Sequence, residues 1–234
     1  MNVNIEKDGI KNSTTTSFFT NHGFIDINYS KYGIRNTGTF INEGELYTRN
    51  IGFTHITNQG EEAQLTNNGR LVTRANFGFG TRINNSNGAT FENNGYLHVR
   101  DNFGFGGISN QLNSTFINSD SINCSRGIVN KGTFFNDQGI IALDSLQLIN
   151  DGEFAEFTNN GALLISKYFA NLENKNGASF TNEGKLTISD IPLGGFGVIR
   201  NKNPNTSFIN TGSIEIMDTG FDSAPSDGLS LIHI

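Results

Sequence analysis

Arg49, Arg74 and Arg100 each directly follow a short Leu-x-Thr or Leu-x-Val step, and each leads into a stretch rich in Asn, Gly and Phe. A guanidinium presents a planar fork of donors that fits a carboxylate or sulfate, and aromatic rings can stack on sugar faces. Such residues, repeated at one position, suit an extended anionic or neutral glycan. Arg126, displaced by one residue, extends the row. The following stretches are NIGF at 50–53 and NFGFG at 76–80 and 102–106. Phe77, Phe79, Phe103 and Phe105 also alternate with Asn and Gly as a core-facing strand would. That alternation favours packing, and a row of arginines is equally compatible with solvated side chains.

Other chemistry is sparsely represented. A polysaccharide lyase or hydrolase needs paired carboxylates, or an acid beside Arg or Lys, on neighbouring turns of one face. Glu43, Asp120 and Glu183 read as members of one outward column, but with neutral turns between them. His22, His55, His98 and His233 occupy unrelated places in the repeat, so none pairs at metal-ligand spacing and surface positions are expected. Neither a metal nor a cofactor is implied. The single cysteine, Cys124, stands where other repeats carry Ile, Val, Leu or Thr, which predicts a buried apolar side chain.

What must position the arginines is a repeat. Ile-x-Asn (Leu-x-Asn in places), a short gap, then Phe-x-Asn-x-Gly-x-Leu-x-Ile recurs along the chain. The first Asn falls at Asn12, Asn36, Asn58, Asn85, Asn110, Asn130, Asn150, Asn174 and Asn201. The aromatic-led half begins at Phe19, Phe40, Leu65, Phe91, Phe116, Phe135, Phe157, Phe180 and Phe208, a period of 19 to 28 residues. Periodicity of this length, built from extended segments and Asn/Gly corners, is the mark of a solenoid whose coils bury their apolar faces on one another. The marked residues lie two apart, which in extended chain puts them on one face. Each coil is read as strands Ile-x-Asn, Phe-x-Asn and Leu-x-Ile, the third lengthened variably into a fourth segment. Inward Asn side chains at equivalent places can bond to one another at the strand spacing of about 4.8 Å, forming a ladder. In the rigid half, Asp137 is read in place of the second Asn, Asp120 in place of Gly and Leu65 in place of Phe. Gly and Asn at the corners are expected because both tolerate left-handed backbone angles.

Composition agrees. Only 35% of the 234 residues are hydrophobic, whereas Asn numbers 35, so the apolar core must be a narrow column rather than a broad globular interior. A net charge of −6 disfavours nucleic acid, which requires a strong Lys/Arg excess. No apolar run is long enough to insert in a membrane, and residues 1–10 lack the apolar stretch of a signal peptide. Val3 and Ile5 fit the closing Leu-x-Ile step of a coil, suggesting a fragment of a longer array. Residues 1–217 are read as one solenoid domain and 218–234 as a flexible tail, whose final LSLIHI matches no part of the repeat.

The segments FINEGELYT, FENNGYLHV, FTNEGKLTI and FINTGSIEI resemble the β-helical repeats of bacterial surface adhesins of the autotransporter-passenger and filamentous-haemagglutinin type. The resemblance spans residues 10–217. It implies a secreted or surface-displayed stalk that projects a binding function, and it carries over no site residue. The expectation is an all-β, right-handed parallel β-helix of about nine coils, acting as a non-catalytic scaffold that binds glycans or other cell-surface ligands. Right-handedness is expected from coil length and from the chirality of parallel crossovers. Two alternatives are a polysaccharide-active β-helix and an ice-binding one. The second draws on Thr beside the Phe column (Thr39, Ile41, Thr115, Ile117, Ser179, Thr181), interrupted by Gln64, Glu92 and Glu156.

Overall fold

A computed structural model describes residues 2–3, 8–75, 82–101, 107–144, 147–166, 171–189 and 199–217. Phe77, Phe79, Phe103, Phe105, Ile5, His233 and the tail from 218 lie outside these residues. The described chain is a parallel β-solenoid with three strands per coil, each stacked on its equivalent in the next coil. The Leu-x-Ile strands form a ten-stranded sheet from Asn2–Val3 and Phe24–Asn28 to Ser213–Ile216, here called the Leu sheet. The Ile-x-Asn strands form a nine-stranded Ile sheet from Asp8–Asn12 to Ile199–Lys202. The Phe-x-Asn strands form a nine-stranded Phe sheet from Phe18–Asn21 to Ser207–Asn210. Among the described residues the variable connection contributes no fourth sheet.

Alternation sets the interior. Phe40, Leu46, Ile34 and their equivalents in the inner coils are buried and form one continuous apolar column along the axis, against which the partly buried Ile10, Phe19, Ile25, Ile199, Phe208 and Ile214 of the end coils pack. Cys124 belongs to it, as its repeat position predicts. Phenyl rings stack coil on coil: Phe91 on Phe116 at 4.6 Å between centroids, and Phe116 on Phe134 at 4.6 Å, both pairs 6° from parallel. Offset stacking at this separation adds to the burial of each ring.

Two asparagine ladders flank this column. In the Ile sheet, Asn12 Nδ2 donates to Asn36 Oδ1 at 2.7 Å, and the chain of bonds runs through Asn58, Asn85, Asn110, Asn130, Asn150 and Asn174 to Asn201. In the Phe sheet a second ladder runs from Asn21 through Asn42, Asn67, Asn93, Asn118, Asn136, Asn159 and Asn182 to Asn210. Asn93 shows the bonding of a rung. It accepts from Asn67 Nδ2 at 2.7 Å, and its own Nδ2 donates to Asn118 Oδ1 at 2.8 Å and to Ser121 O at 3.1 Å. Unbonded, such an amide would cost about 1–3 kcal/mol to bury.

The structure corrects the reading at several places. Phe134, not Phe135, joins the ring stack, and Asn136, not Asp137, joins the ladder. The register therefore needs an extra residue before Gly139, and Gln138 absorbs it with φ of 61°. The otherwise constant step is broken there. Val3 stands opposite Ile27, the closing place that spacing assigned to Ile5. The repeated glycines Gly44, Gly69, Gly95, Gly161, Gly184 and Gly212 do not have positive φ. They are glycine because a Cβ on each would run into the backbone carbonyl of the glycine in the preceding coil. Left-handed angles instead fall to asparagines such as Asn87, Asn113 and Asn176, between the Ile and Phe strands.

Candidate functional site

The parallel register of the Leu sheet decides what the arginines can do. Arg49, Arg74 and Arg100 are direct partners on adjacent strands, one strand spacing apart. All three are exposed. Arg126 does not stand in this column. Its strand ends at Cys124 opposite Val99, Ser125 follows with its N–H bonded to Val99 O at 2.9 Å, and Arg126 is one residue beyond.

The row is electrostatically uneven. Arg49 Nε donates to Asp26 Oδ1 at 2.9 Å and its Nη2 reaches Asp26 Oδ2, a two-pronged pair across the step between neighbouring coils. The Asp26 side chain is only 5% exposed, against 44% for Arg49. The hydrogen bond and charge of Asp26 hold Arg49 even more firmly protonated than usual, against the opposing effect of burial. Among the described residues no carboxylate pairs with Arg74 or Arg100.

Two further outward columns complete this face. One reads Phe24, Glu45, Arg70, Tyr96 and Ser121, and the other Asp26, Tyr47, Val72, His98 and Asn123. Arg70 Nε donates to the Tyr47 hydroxyl at 3.0 Å, Tyr47 donates to Glu45 Oε2 at 3.1 Å, and the Arg70 guanidinium lies 4.6 Å from the Tyr96 ring centre. Tyr47 also packs on Phe24 at 5.5 Å. His98 lies edge-on to Tyr96 at 6.0 Å. Burial, then Arg100, Arg70 and Arg74 in that order, push the imidazole below its ordinary range, so at neutral pH the ring is uncharged. The N-terminal half of the sheet therefore offers fixed cations beside aromatic rings on a flat surface. On the next two strands the same columns turn apolar, with Ile140, Ala142, Ala162 and Leu164, before Lys185, Thr187, Ser213 and Glu215 make them polar again.

Sequence reasoning placed the Arg row but missed Asp26 and His98 as its neighbours. Counting outward positions from the Leu of each step would have found both. It also counted Asp120 in one outward column with Glu43 and Glu183, whereas its other reading, Asp120 in place of Gly, is the one that holds. The turn bonds Ser119 N to Asn93 O and Asn94 N to Asn67 O, so Ser119, Asn94 and Asn68 are equivalent to Glu43, and Asp120 stands in the glycine column. Asp137, not Asp120, shares the column of Glu43 and Glu183.

Acids do meet elsewhere. On the Ile sheet Lys175 Nζ lies 3.9 Å from Asp151 and 3.3 Å from Glu173, and Lys202 Nζ lies 2.9 Å from Glu173. The Lys202 hydrogen bond holds the Glu173 carboxyl below its usual range, opposed in part by burial. A general acid needs the reverse shift, so this cluster fits an ion-pair staple between coils. His55 is not at the surface: it is fully buried, its Nδ1 2.9 Å from Thr48 Oγ1. Arg82, likewise fully buried, takes the equivalent place one coil on. Among the described residues no cluster of His, Cys, Asp and Glu could hold a metal ion. The outer column of the Phe sheet reads Phe18, Thr39, Gln64, Thr90, Thr115, Thr133, Glu156, Ser179 and Ser207, a hydroxyl row broken by bulky side chains.

Fold and face together define a parallel β-solenoid with asparagine ladders that carries a basic, aromatic patch on one sheet. Comparison with protein-family models, curated proteins and solved structures gives no match.

Proposed function

We propose that the chain is a non-catalytic solenoid scaffold of a secreted or surface-displayed, adhesin-like protein, and that the N-terminal half of its Leu sheet binds an extended anionic glycan. The observation that carries the reading is the in-register pair Arg74 and Arg100, exposed and without a carboxylate partner among the described residues, beside the Arg70–Tyr96 stack. Guanidiniums one strand apart suit a polymer lying along the solenoid axis with an acidic group on successive sugars. Tyr47 and Tyr96 supply rings for sugar faces. Arg49 contributes less, because Asp26 already occupies its donors.

Titration of a heparin-derived oligosaccharide and of oligogalacturonate into the full chain at low salt tests the reading. Binding should weaken as salt rises, since exposed charge contacts are screened. The double variant Arg74→Gln/Arg100→Gln should lose it while keeping the wild-type melting temperature. Arg35→Gln, on the Ile sheet and paired with Asp8 at 3.5 Å, should bind as wild type. Wild type that binds neither probe, or a double variant that binds both, would overturn the assignment.

A further inference from the structure

His98 occupies the centre of a grid whose other places are all known. On its own strand, Tyr96–Asp101 in the structure's bounds, the same face carries Tyr96 on one side and Arg100 on the other. The preceding strand, Arg70–Ala75, presents Val72 directly opposite, with Arg70 and Arg74 at the diagonals. The following strand presents Asn123 opposite and Ser121 at one diagonal, and Ser125 continues it at the other. The charged groups around the ring are therefore three arginines, and no acid stands among those eight neighbours. The nearest acids in the same outward columns are Glu45 and Asp144, each two strands away on opposite sides, and Asp26, three strands away. Glu45 accepts from Tyr47 and Asp26 from Arg49. Asp120 sits at the corner before Ser121, in the glycine column rather than on this face.

Proton affinity at such a place depends on what else occupies the face. With the arginines unliganded, a charged imidazolium is partly desolvated and is also repelled from three directions. An acidic group bridging Arg74 and Arg100 offsets the repulsion from those two and adds an attraction. We infer that His98 is the proton-linked element of this face, so that an anionic glycan held by Arg74 and Arg100 is taken up together with a proton on His98. The inference rests on the binding reading above and adds to it a sign: affinity rises as pH falls through the titration of His98. Linkage is reciprocal, so the bound anion must raise the proton affinity of His98 by the same factor as the proton raises affinity for the anion.

The test uses the full chain and a heparin-derived oligosaccharide, whose sulfates stay ionised throughout the range, so that the probe itself does not titrate. Calorimetric titrations from pH 7.5 to 5.5 at fixed salt should show binding tightening toward a limit of about tenfold per pH unit where one proton is taken up. Parallel runs in buffers of different ionisation enthalpy should show the uptake directly. His98→Gln should bind as wild type at pH 7.5 and lose the pH dependence. The ring resonances of His98 should titrate below the ordinary histidine value in the free chain, and move up with ligand or in Arg74→Gln/Arg100→Gln. Equal affinity at both ends of the range, or a pH dependence that persists in His98→Gln, would overturn the inference while leaving the binding face intact. Absence of binding at every pH would instead remove the binding face, and the inference with it.

Discussion

Asp26 and Arg49 face each other across one coil-to-coil step, a nearly buried carboxylate gripped by an exposed guanidinium. Arg49 is in register with Arg74 and Arg100, yet this one contact sets it apart from them in its ion pairing. The pair is a structural tie between neighbouring coils, and the proposed binding falls to the two arginines beyond it.

Removing one half of that tie should therefore do more harm than removing the other. Arg49→Gln leaves the Asp26 carboxylate without its partner and should cost about 1–3 kcal/mol in denaturant unfolding. Asp26→Asn, which keeps a hydrogen-bonding side chain of the same shape, should cost less. It should also strengthen binding of acidic glycan by releasing Arg49, and a calorimetric comparison of the two variants at low salt checks both points.

In the second ladder, Asn93→Leu strands the donor of Asn67 and the acceptor of Asn118, and should destabilise by about 1–3 kcal/mol. Phe91→Ala opens a hole beside Phe116 and should cost about 3–5 kcal/mol. Unchanged denaturant midpoints for both variants would mean that neither column lies in the core.

Gly95 and Gly23 make a matched pair. Ala at Gly95 would drive its Cβ into Gly69 O, whereas a Cβ on Gly23 meets nothing within 4 Å. Gly95→Ala should cost about 3 kcal/mol or more through forced separation of coils. Gly23→Ala should be neutral or stabilising by up to about 1 kcal/mol, because it reduces the freedom of the unfolded chain. Thermal melts of the two single variants decide this.

Acid should loosen the last coils first. The Glu173 carboxyl is held below its ordinary range by Lys202 and Lys175, so its contribution is present above the unfolded-state pKa and is lost as pH falls through the folded one. Protection of the amides in Ile199–Lys202, measured against their intrinsic exchange rates, should fall below about pH 4, near the ordinary Glu value, and in Glu173→Gln it should be lower already at pH 7 with little further change in acid.

Much of this architecture was legible because Asn, Phe and Leu two apart can share a face only in extended chain, and because equivalent residues of a solenoid must stack. The misreadings have local physical causes. Thr133-Phe134-Phe135-Asn136-Asp137 offers two rings and two polar candidates; Asn136 prevails because it bonds at 2.7 Å to both neighbouring rungs, and Phe134 follows from it. The glycines looked like residues chosen for left-handed angles, whereas the stack requires them for want of a Cβ, a distinction invisible until neighbouring coils are in place. The partnership of Asp26 with Arg49 joins adjacent outward columns on different strands, so no spacing rule along the chain announces it. The Arg row itself was legible, being a simple repeat position, and His98 became part of it only once register set the ring beside three cations.

Every inter-coil bond in the two ladders points the same way: the Nδ2 of one coil donates to the Oδ1 of the coil that follows in sequence. The amides are thus aligned head to tail along the axis, and the stack has a built-in direction. The two ends of the stack are therefore chemically unlike: a coil presents amide donors to the coil that follows and amide acceptors to the coil that precedes, so two coils can join their ladders only in one orientation.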